Sequence, residues 1–390
     1  MNAIAPGSIV HALSPRIAMV AGEASGDLLA GMLLGALKQR WPGVETGGIG
    51  GPKMAAHGFR AWWPHDRLAV HGYAEALRHY PEIAGIRRQL ARRLLDDPPD
   101  AFIGVDAPDF NLGLEQTLRQ AGIRTVHFVC PSIWAWRGKR AQTMARSCDH
   151  VLCLFPFEPE LLHRHGCAAT YVGHPLADAL PLVPPREDSR QHLGIDPDCL
   201  LVAVLPGSRR AEIRHIAPVF LQAAAEMHRR RPELRFVLPV SPGLRPMLEP
   251  MVALHAPAVP LKLVDGSSHA ALAACDVTLI TSGTATLEAA LLKRPMVIGY
   301  RMSGLSWQLM KRMRYQPWVG LPNILCREFV VPELLQDACR PGALADATLA
   351  WLDDAPAADR LARRFQDLHH LLRCDTARRA TDAIAQVIAA

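Results

Sequence analysis

The chain has 390 residues, 49% of them hydrophobic and 21% charged, with a formal net charge of +6. That length exceeds one comfortable core and predicts two domains, and the composition excludes a disordered or fibrous chain. The mild positive charge suits an anionic substrate or membrane surface and is too diffuse for a nucleic-acid-binding protein.

Short apolar runs alternate with helical patterns nearly throughout, which is the α/β signature. Strands are predicted at 16–20, 101–105, 125–129 and 150–154, then at 200–205, 235–239, 277–280 and 296–299. Two Rossmann-like domains facing a cleft follow from that pattern, with ligands outside the carboxyl ends of the strands. The expected boundaries are 1–183 for the first domain, 184–198 for a linker rich in proline and charge, and 199–357 for the second. Residues 358–390 read as helices that pack back on the first domain or on a partner chain. Nine cysteines without a C-x-x-C pair read as reduced thiols of a cytoplasmic protein, not a disulfide frame or zinc site. Residues 1–20 show no charged segment ahead of a long apolar core, and no window reaches the ~18 unbroken apolar residues of a span. No metal and no cofactor is expected.

In the first domain, Ala21-Gly22-Glu23-Ala24-Ser25-Gly26-Asp27 joins the first strand to a helix expected at 28–40. Gly22 and Gly26 permit tight turning, Ser25 or Asp27 can cap, and the helix end favours an anion. The pattern is neither G-x-G-x-x-G nor a Walker A loop, and an ordinary structural turn is equally compatible with it. The 66–97 stretch places Leu68, Val70, Tyr73, Leu77, Tyr80 and Ile83 at roughly helical spacing, edged by arginines. Pro81 divides it into two segments. Such a face suits either a core helix or the surface of an anionic bilayer. The strand at 101–105 ends in Gly104-Val105-Asp106-Ala107-Pro108-Asp109-Phe110-Asn111. A carboxylate there stands where a general base stands; Asp106 fits that role, and Asp109 fits a helix cap. His174, in Gly173-His174-Pro175, is either structural or a residue of the cleft.

In the second domain, Leu205-Pro206-Gly207-Ser208-Arg209 follows a strand and opens a helix. Gly207 and Ser208 bring backbone close to a ligand, and Arg209 offers a planar charged fork to a phosphate. Ser282-Gly283-Thr284-Ala285-Thr286-Leu287-Glu288 repeats the device after another strand, with a helical pattern from Leu287. Free amides, hydroxyls and a positive helix end suit a diphosphate. Glu288, expected in the helix's first turn, can accept hydrogen bonds from ribose hydroxyls. Asn323 and Gln336 are further polar candidates.

Seven segments in this order resemble the lipid-A-disaccharide synthase family. They are 21–27 and 104–111, Pro-Ser-Ile-Trp-Ala-Trp-Arg at 131–137, Val-Gly-His-Pro-Leu-Ala-Asp at 172–178, 205–209, 282–288, and Leu-Pro-Asn-Ile-Leu at 321–325. The resemblance implies an inverting GT-B glycosyltransferase. It would join UDP-2,3-diacylglucosamine to 2,3-diacylglucosamine 1-phosphate, giving a β-1,6-linked disaccharide 1-phosphate and UDP. It assigns UDP to Gly207, Ser208, Arg209, Ser282, Gly283, Thr284, Thr286, Glu288, Asn323 and Gln336, with no metal at the diphosphate. It makes Asp106 the base for the acceptor's 6-hydroxyl and places the acceptor against Gly22, Ser25, Gly26 and Asp27. It also implies a cytoplasmic protein on the inner-membrane surface, docked through the 66–97 face, and a homodimer exchanging C-terminal segments. Another UDP-sugar transferase or a UDP-N-acetylglucosamine 2-epimerase uses the same frame and is the alternative; a non-catalytic nucleotide- or lipid-binding protein is the rival outside enzymes.

Overall fold

A strand buried on both faces has to be apolar throughout, and Ala101–Val105 and Leu201–Leu205 are buried along their whole length. Each lies inside a parallel sheet. The computed structural model describes residues 14–64, 68, 73–133, 140–302, 307 and 316–390, with the backbone alone at 24 and 73–80. Val70 and the 134–137 end of the tryptophan motif lie outside them.

The chain divides into two units, Met1–Pro175 with Asp375–Ala390, and Leu176–Cys374. The first runs β1 (Arg16–Ala21), α1 (Ala24–Arg40), β2 (Glu45–Gly50), α2 (Pro52–Ala55), β3 (Arg60–Pro64), α3 (Tyr73–Asp96), β4 (Ala101–Val105), α4 (Pro108–Gln120), β5 (Arg124–Phe128), α5 (Arg140–Ser147), β6 (His150–Cys153), α6 (Glu158–His163) and β7 (Ala169–Tyr171). The chain leaves it at α7 (Pro175–Ala179). The second runs α8 (Arg186–Leu193), β8 (Leu201–Leu205), α9 (Arg210–Arg230), β9 (Arg235–Val240), α10 (Arg245–His255), β10 (Leu261–Asp265), α11 (Ser268–Ala274), β11 (Val277–Thr281), α12 (Thr284–Leu291), β12 (Met296–Tyr300), α13 (Leu321–Cys326), β13 (Glu333–Leu335), α14 (Pro341–Asp353) and α15 (Ala355–Leu372). A last helix, α16 (Thr376–Ala389), belongs to the first unit.

Both sheets are parallel and doubly wound. The first has the order β3-β2-β1-β4-β5-β6-β7, the second β10-β9-β8-β11-β12-β13. In each, the first strand sits inside the sheet, and the winding reverses beside it, between β1 and β4 or between β8 and β11. The carboxyl end at that reversal is where an open α/β sheet leaves a crevice for ligands.

Core packing explains which residues hold these elements. In the first unit, Leu33, Leu34 and Leu37 of α1 join Ala380, Ala383 and Ile384 of α16 over Met19, Val126 and Phe128. Phe110, Leu114 and Leu118 of α4 cover the other face with Ile86, Leu90 and Leu94 of α3. In the second unit, α9 buries Ile213, Ile216, Ala217 and Phe220 against Val202, Val204 and Leu279.

Three local expectations differ from the structure. The 73–96 helix is continuous and contains Pro81. A proline inside a helix removes one backbone hydrogen bond, yet the burial of Ile86, Leu90 and Leu94 at four-residue spacing keeps the following turns seated. Leu68 and Ile83, expected on a lipid-facing patch, are half-buried and pack on that same core cluster. Residues 184–198 hold α8, whose Arg190 is 1% exposed within the second unit.

Candidate functional site

At the reversal of the first sheet, the loop after β1 meets the loop after β4. A side chain on Gly22 would have its Cβ only 3.4 Å from that of Ala107 and 3.2 Å from that of Leu68, so glycine allows the close approach. Helix α1 begins at Ala24, four residues earlier than the pattern predicted, with Glu23 as its N-cap and no side-chain cap. Ser25 is exposed. Asp27 differs from expectation: it is 2% exposed and turned inward. Its carboxylate accepts the amides of Gly51 at 2.8 Å, Lys53 at 2.9 Å and Met54 at 3.1 Å. It therefore caps the short α2 and ties β2 to α1.

Asp106 leaves β4 in the left-handed region, with φ 50°, and Ala107 follows at φ 42°. Each non-glycine residue held there costs about 1–2 kcal/mol. Val129, at the end of the neighbouring β5, has φ 82°. The amide of Asp106 donates to Phe128 O at 2.9 Å, and its carbonyl accepts from Asn111 Nδ2 at 2.8 Å. Asp109 is not the cap expected: Ala107 holds the N-cap position without a side-chain bond, and Asp109 pairs with Arg140.

Behind Asp106 lies a feature the sequence reading passed over. Asn111, Glu115 and Arg119 lie four residues apart on α4 and turn toward the sheet. Glu115 Oε1 stands 2.7 Å from His127 Nδ1, with both side chains fully buried. Arg119 pairs with Asp149 at 2.8 Å. Burial opposes charge on His127; the Glu115 carboxylate and its hydrogen bond, then Asp106, outweigh it and raise the imidazole above its ordinary pKa. Glu115 Oε2, His127 Nε2 and Asn111 Oδ1 have no hydrogen-bond partner among the described residues, at roughly 1–3 kcal/mol each. The signal was present as polar residues at helical spacing inside an otherwise apolar face. His174 is also buried, its ring 6.0 Å from that of Phe155.

At the reversal of the second sheet, the loops after β8 and β11 come together. Leu205 is in register with Ile280, and Thr281 with Gly299, so the ends of β8, β11 and β12 align. Gly207 has φ 121°, and a side chain there would meet Glu212 Oε2 at 2.7 Å. That same oxygen accepts the Ser208 amide at 3.3 Å, and Glu212 Oε1 pairs with Arg209 at 3.1 Å. The guanidinium of Arg209 is half-exposed at the N-cap of α9. Tyr300, at the end of β12, shares this environment: burial and then Glu212 push its phenol up, against Arg209.

Helix α12 starts at Thr284, so Glu288 is one turn deeper than the pattern predicted. Gly283 caps it at φ 152°, exposed and with open space where a side chain would be. The hydroxyl of Ser282 donates to Val319 O at 3.0 Å. Thr284 is exposed, whereas Thr286 is buried, its hydroxyl donating to Gly283 O at 2.8 Å. Glu288 is 15% exposed and lies 3.4 Å from His269 Nε2 on α11, a partner sequence reasoning missed. That hydrogen bond raises the imidazole, against burial.

Asn323 and Gln336 are engaged within the fold. Asn323 is fully buried and donates to Val331 O and Glu333 Oε1; its own oxygen accepts from Val330 N and Val331 N. That uses all four of its hydrogen-bonding positions. Glu333 in turn accepts the amides of Val319 and Gly320 at 2.9 and 2.8 Å. The pair therefore fixes the segment that receives Ser282. Gln336, at φ 51°, turns its amide so that it bonds Met302 N and O at 3.1 and 3.2 Å.

Chemically, the second crevice gathers two helix starts, hydroxyls and an arginine, a set suited to a diphosphate. The first offers a carboxylate on a strained turn at a strand end.

Comparisons with known proteins agree on the frame. The lipid-A-disaccharide synthetase family model matches residues 17–386. A lipid-A-disaccharide synthase from Albidiferax ferrireducens is 58% identical over 378 residues, covering 96% of this chain and 97% of that one. Among solved structures, a putative UDP-N-acetylglucosamine 2-epimerase from Listeria monocytogenes superposes with a TM-score of 0.66 at 14% identity, covering 95% of this chain and 96% of that one. The calicheamicin glycosyltransferase CalG4 gives 0.63 at 14%, covering 97% and 99%. Those two likenesses concern the two-domain GT-B fold alone. The chain belongs to the lipid-A-disaccharide synthase family, and is a glycosyltransferase of lipid A biosynthesis.

Proposed function

We propose that the enzyme transfers diacylglucosamine from UDP-2,3-diacylglucosamine to the 6-hydroxyl of 2,3-diacylglucosamine 1-phosphate. Its substrates are a sugar nucleotide and a sugar phosphate, and in this reading each sugar carries two acyl groups. The observation that carries it is the placement of both motif pairs at a sheet reversal, a carboxylate at one and an anion seat at the other.

In this reading the first domain takes the acceptor and the second the donor. Asp106 removes the proton of the 6-hydroxyl as that oxygen attacks the anomeric carbon from the face opposite UDP. The new C–O bond forms as the bond to the diphosphate breaks, so the configuration inverts. Gly207, Ser208 and Arg209, with Ser282, Gly283 and Thr284, receive the charge that develops on the leaving diphosphate. Glu288 holds the ribose hydroxyls. Thr286, Asn323 and Gln336 support these loops from behind, as their buried or main-chain bonding indicates. Gly22, Ser25 and Gly26 border the acceptor, and Asp27 and His174 brace that side from within.

We also read α3 as the face presented to an anionic inner-membrane surface. Arg88, Arg92 and Arg93 are exposed along it, and the Arg93 guanidinium lies 4.2 Å above the Trp62 ring. Among the described residues no helix is long and apolar enough to cross a membrane. A homodimer is part of the reading.

Incubation with the UDP-diacylglucosamine donor, with and without acylated sugar phosphate, tests the whole. The proposal expects UDP release only with acceptor present. Epimerised donor without acceptor would indicate the 2-epimerase reading, and UDP binding without turnover a binding protein.

A further inference from the structure

Asp106 and Ala107 stand consecutively in the left-handed region, a conformation neither side chain favours and which surrounding contacts must hold. Among the described residues, two bonds hold the Asp106 peptide units: its amide to Phe128 O at 2.9 Å, and Asn111 Nδ2 to its carbonyl at 2.8 Å. Both partners lead back to the same buried pair. Phe128 follows His127 on β5, and Asn111 precedes Glu115 by one turn of α4. Gly104, two residues before Asp106, is in register with His127. A Cβ on Gly104 would lie 2.1 Å from Glu115 Oε1 and 3.0 Å from the Asn111 Cβ. The missing side chain is thus the space that the Glu115 carboxylate occupies, wedged between β4, Asn111 and His127.

We propose that Glu115 and His127 are positioning residues for the known reaction, a buried hydrogen-bonded strut that holds Asp106 in its strained, reactive conformation through Asn111 and β5. The inference rests on the reading of Asp106 as the base. Apolar residues of similar volume would fill the same space without desolvating a carboxylate and an imidazole. The retained pair instead fixes direction: the 2.7 Å bond to His127 holds the Glu115 carboxylate in the space beside Gly104, and so seats the turn of α4 whose Asn111 donates to the Asp106 carbonyl. The Glu115 carboxylate outweighs burial and raises the affinity of His127 for its proton.

Steady-state kinetics of the full-length enzyme with both substrates test it. Glu115→Gln and His127→Gln are each expected to lower kcat about tenfold, while KM for donor and acceptor stay within about twofold of wild type. In an Asp106→Asn background, either change is expected to cost nothing further, because the strut then has no base to position. Losses that multiply in that background, or single variants with unchanged kcat, would overturn the strut and leave Asp106 standing. Near-normal turnover of Asp106→Asn alone would remove the base reading itself. If Glu115→Gln does not fold, His127→Gln reads the same strut from its other end.

Discussion

Glu212 reaches back across the start of α9 and accepts the amide of Ser208 at 3.3 Å, with its second oxygen on Arg209 at 3.1 Å. A carboxylate thus occupies the donors that a diphosphate would use. Replacing Glu212 by Gln keeps an acceptor for the Ser208 amide and removes one negative charge from the anion seat. UDP is expected to bind about three- to tenfold tighter to Glu212→Gln, and Arg209→Ala to bind it about tenfold weaker. Calorimetric titration with UDP reads both. Weaker binding by Glu212→Gln would show instead that the carboxylate orients Arg209 toward the ligand.

Asp106→Asn keeps the size of the side chain and most of its hydrogen bonding but loses the basicity. The proposed base lies in the first unit and the proposed nucleotide seat in the second, so the two readouts separate. Turnover is expected to fall ~10²-fold or more, with UDP affinity within twofold of wild type. Unchanged turnover would remove the base assignment; an equal loss in UDP affinity would place Asp106 in nucleotide binding.

The second unit depends on Arg190, which is 1% exposed. Its guanidinium donates to the carbonyls of Ala274, Asp196, Pro197 and Cys199 and to Asp276 at 2.9 Å. Asp276 also takes Arg186 and the Leu201 amide, so one carboxylate joins α8 to the first strand of the sheet. Arg190→Met leaves these acceptors buried and is expected to cost about 3–5 kcal/mol in urea unfolding. Lysine should not rescue it, since a point charge cannot span the same fork of acceptors. A loss under about 1 kcal/mol would mean that water replaces the guanidinium.

The sheets were legible where strands are buried on both faces, because burial forces continuous apolar runs such as β4, β8 and β11. β2 was missed for a physical reason. Its Thr46-Gly47-Gly48-Ile49-Gly50 is glycine-rich because neighbours crowd it: a Cβ on Gly48 would stand 2.0 Å from Met19 O, and one on Gly47 2.7 Å from the Trp62 ring. The edge strand β10 alternates Lys262 with leucines and gives only a weak pattern, and β7 and β13 have three residues each. At the sites, motif spacing found the loops but not the direction of their side chains. Asp27 and Asn323 look like Asp106 and Ser282 in sequence; a hydrogen-bonding destination such as the amides of α2 or of 330–331 is set by tertiary structure. The Asn111–Glu115–Arg119 ridge had a readable spacing, yet its meaning depends on His127, which arrives from another strand.

Lys293 supplies a test by pH. It stands just beyond α12 at φ 56°, and its ammonium bridges Leu291 O and His369 Nδ1, each at 2.6 Å. His369 Nε2 faces Ala177 O at 2.8 Å and so carries the imidazole proton, leaving Nδ1 to accept from the lysine. Burial, and then the positive charges of Arg294 and Arg373, lower the Lys293 pKa from 10.5 to about 8. Between those two values the unfolded chain binds the proton that the folded chain has lost, so this residue makes folding more favourable as pH rises. Below pH 8 the penalty of holding the charge in place is fully present. Lys293→Met removes the titration and keeps the apolar stem. The difference in unfolding free energy between wild type and variant is therefore expected to shift toward wild type from pH 8 to pH 10.5, followed by urea titration at each pH in that window. A difference independent of pH across that window would show that Lys293 keeps an ordinary pKa and that its contact with His369 is made without desolvation.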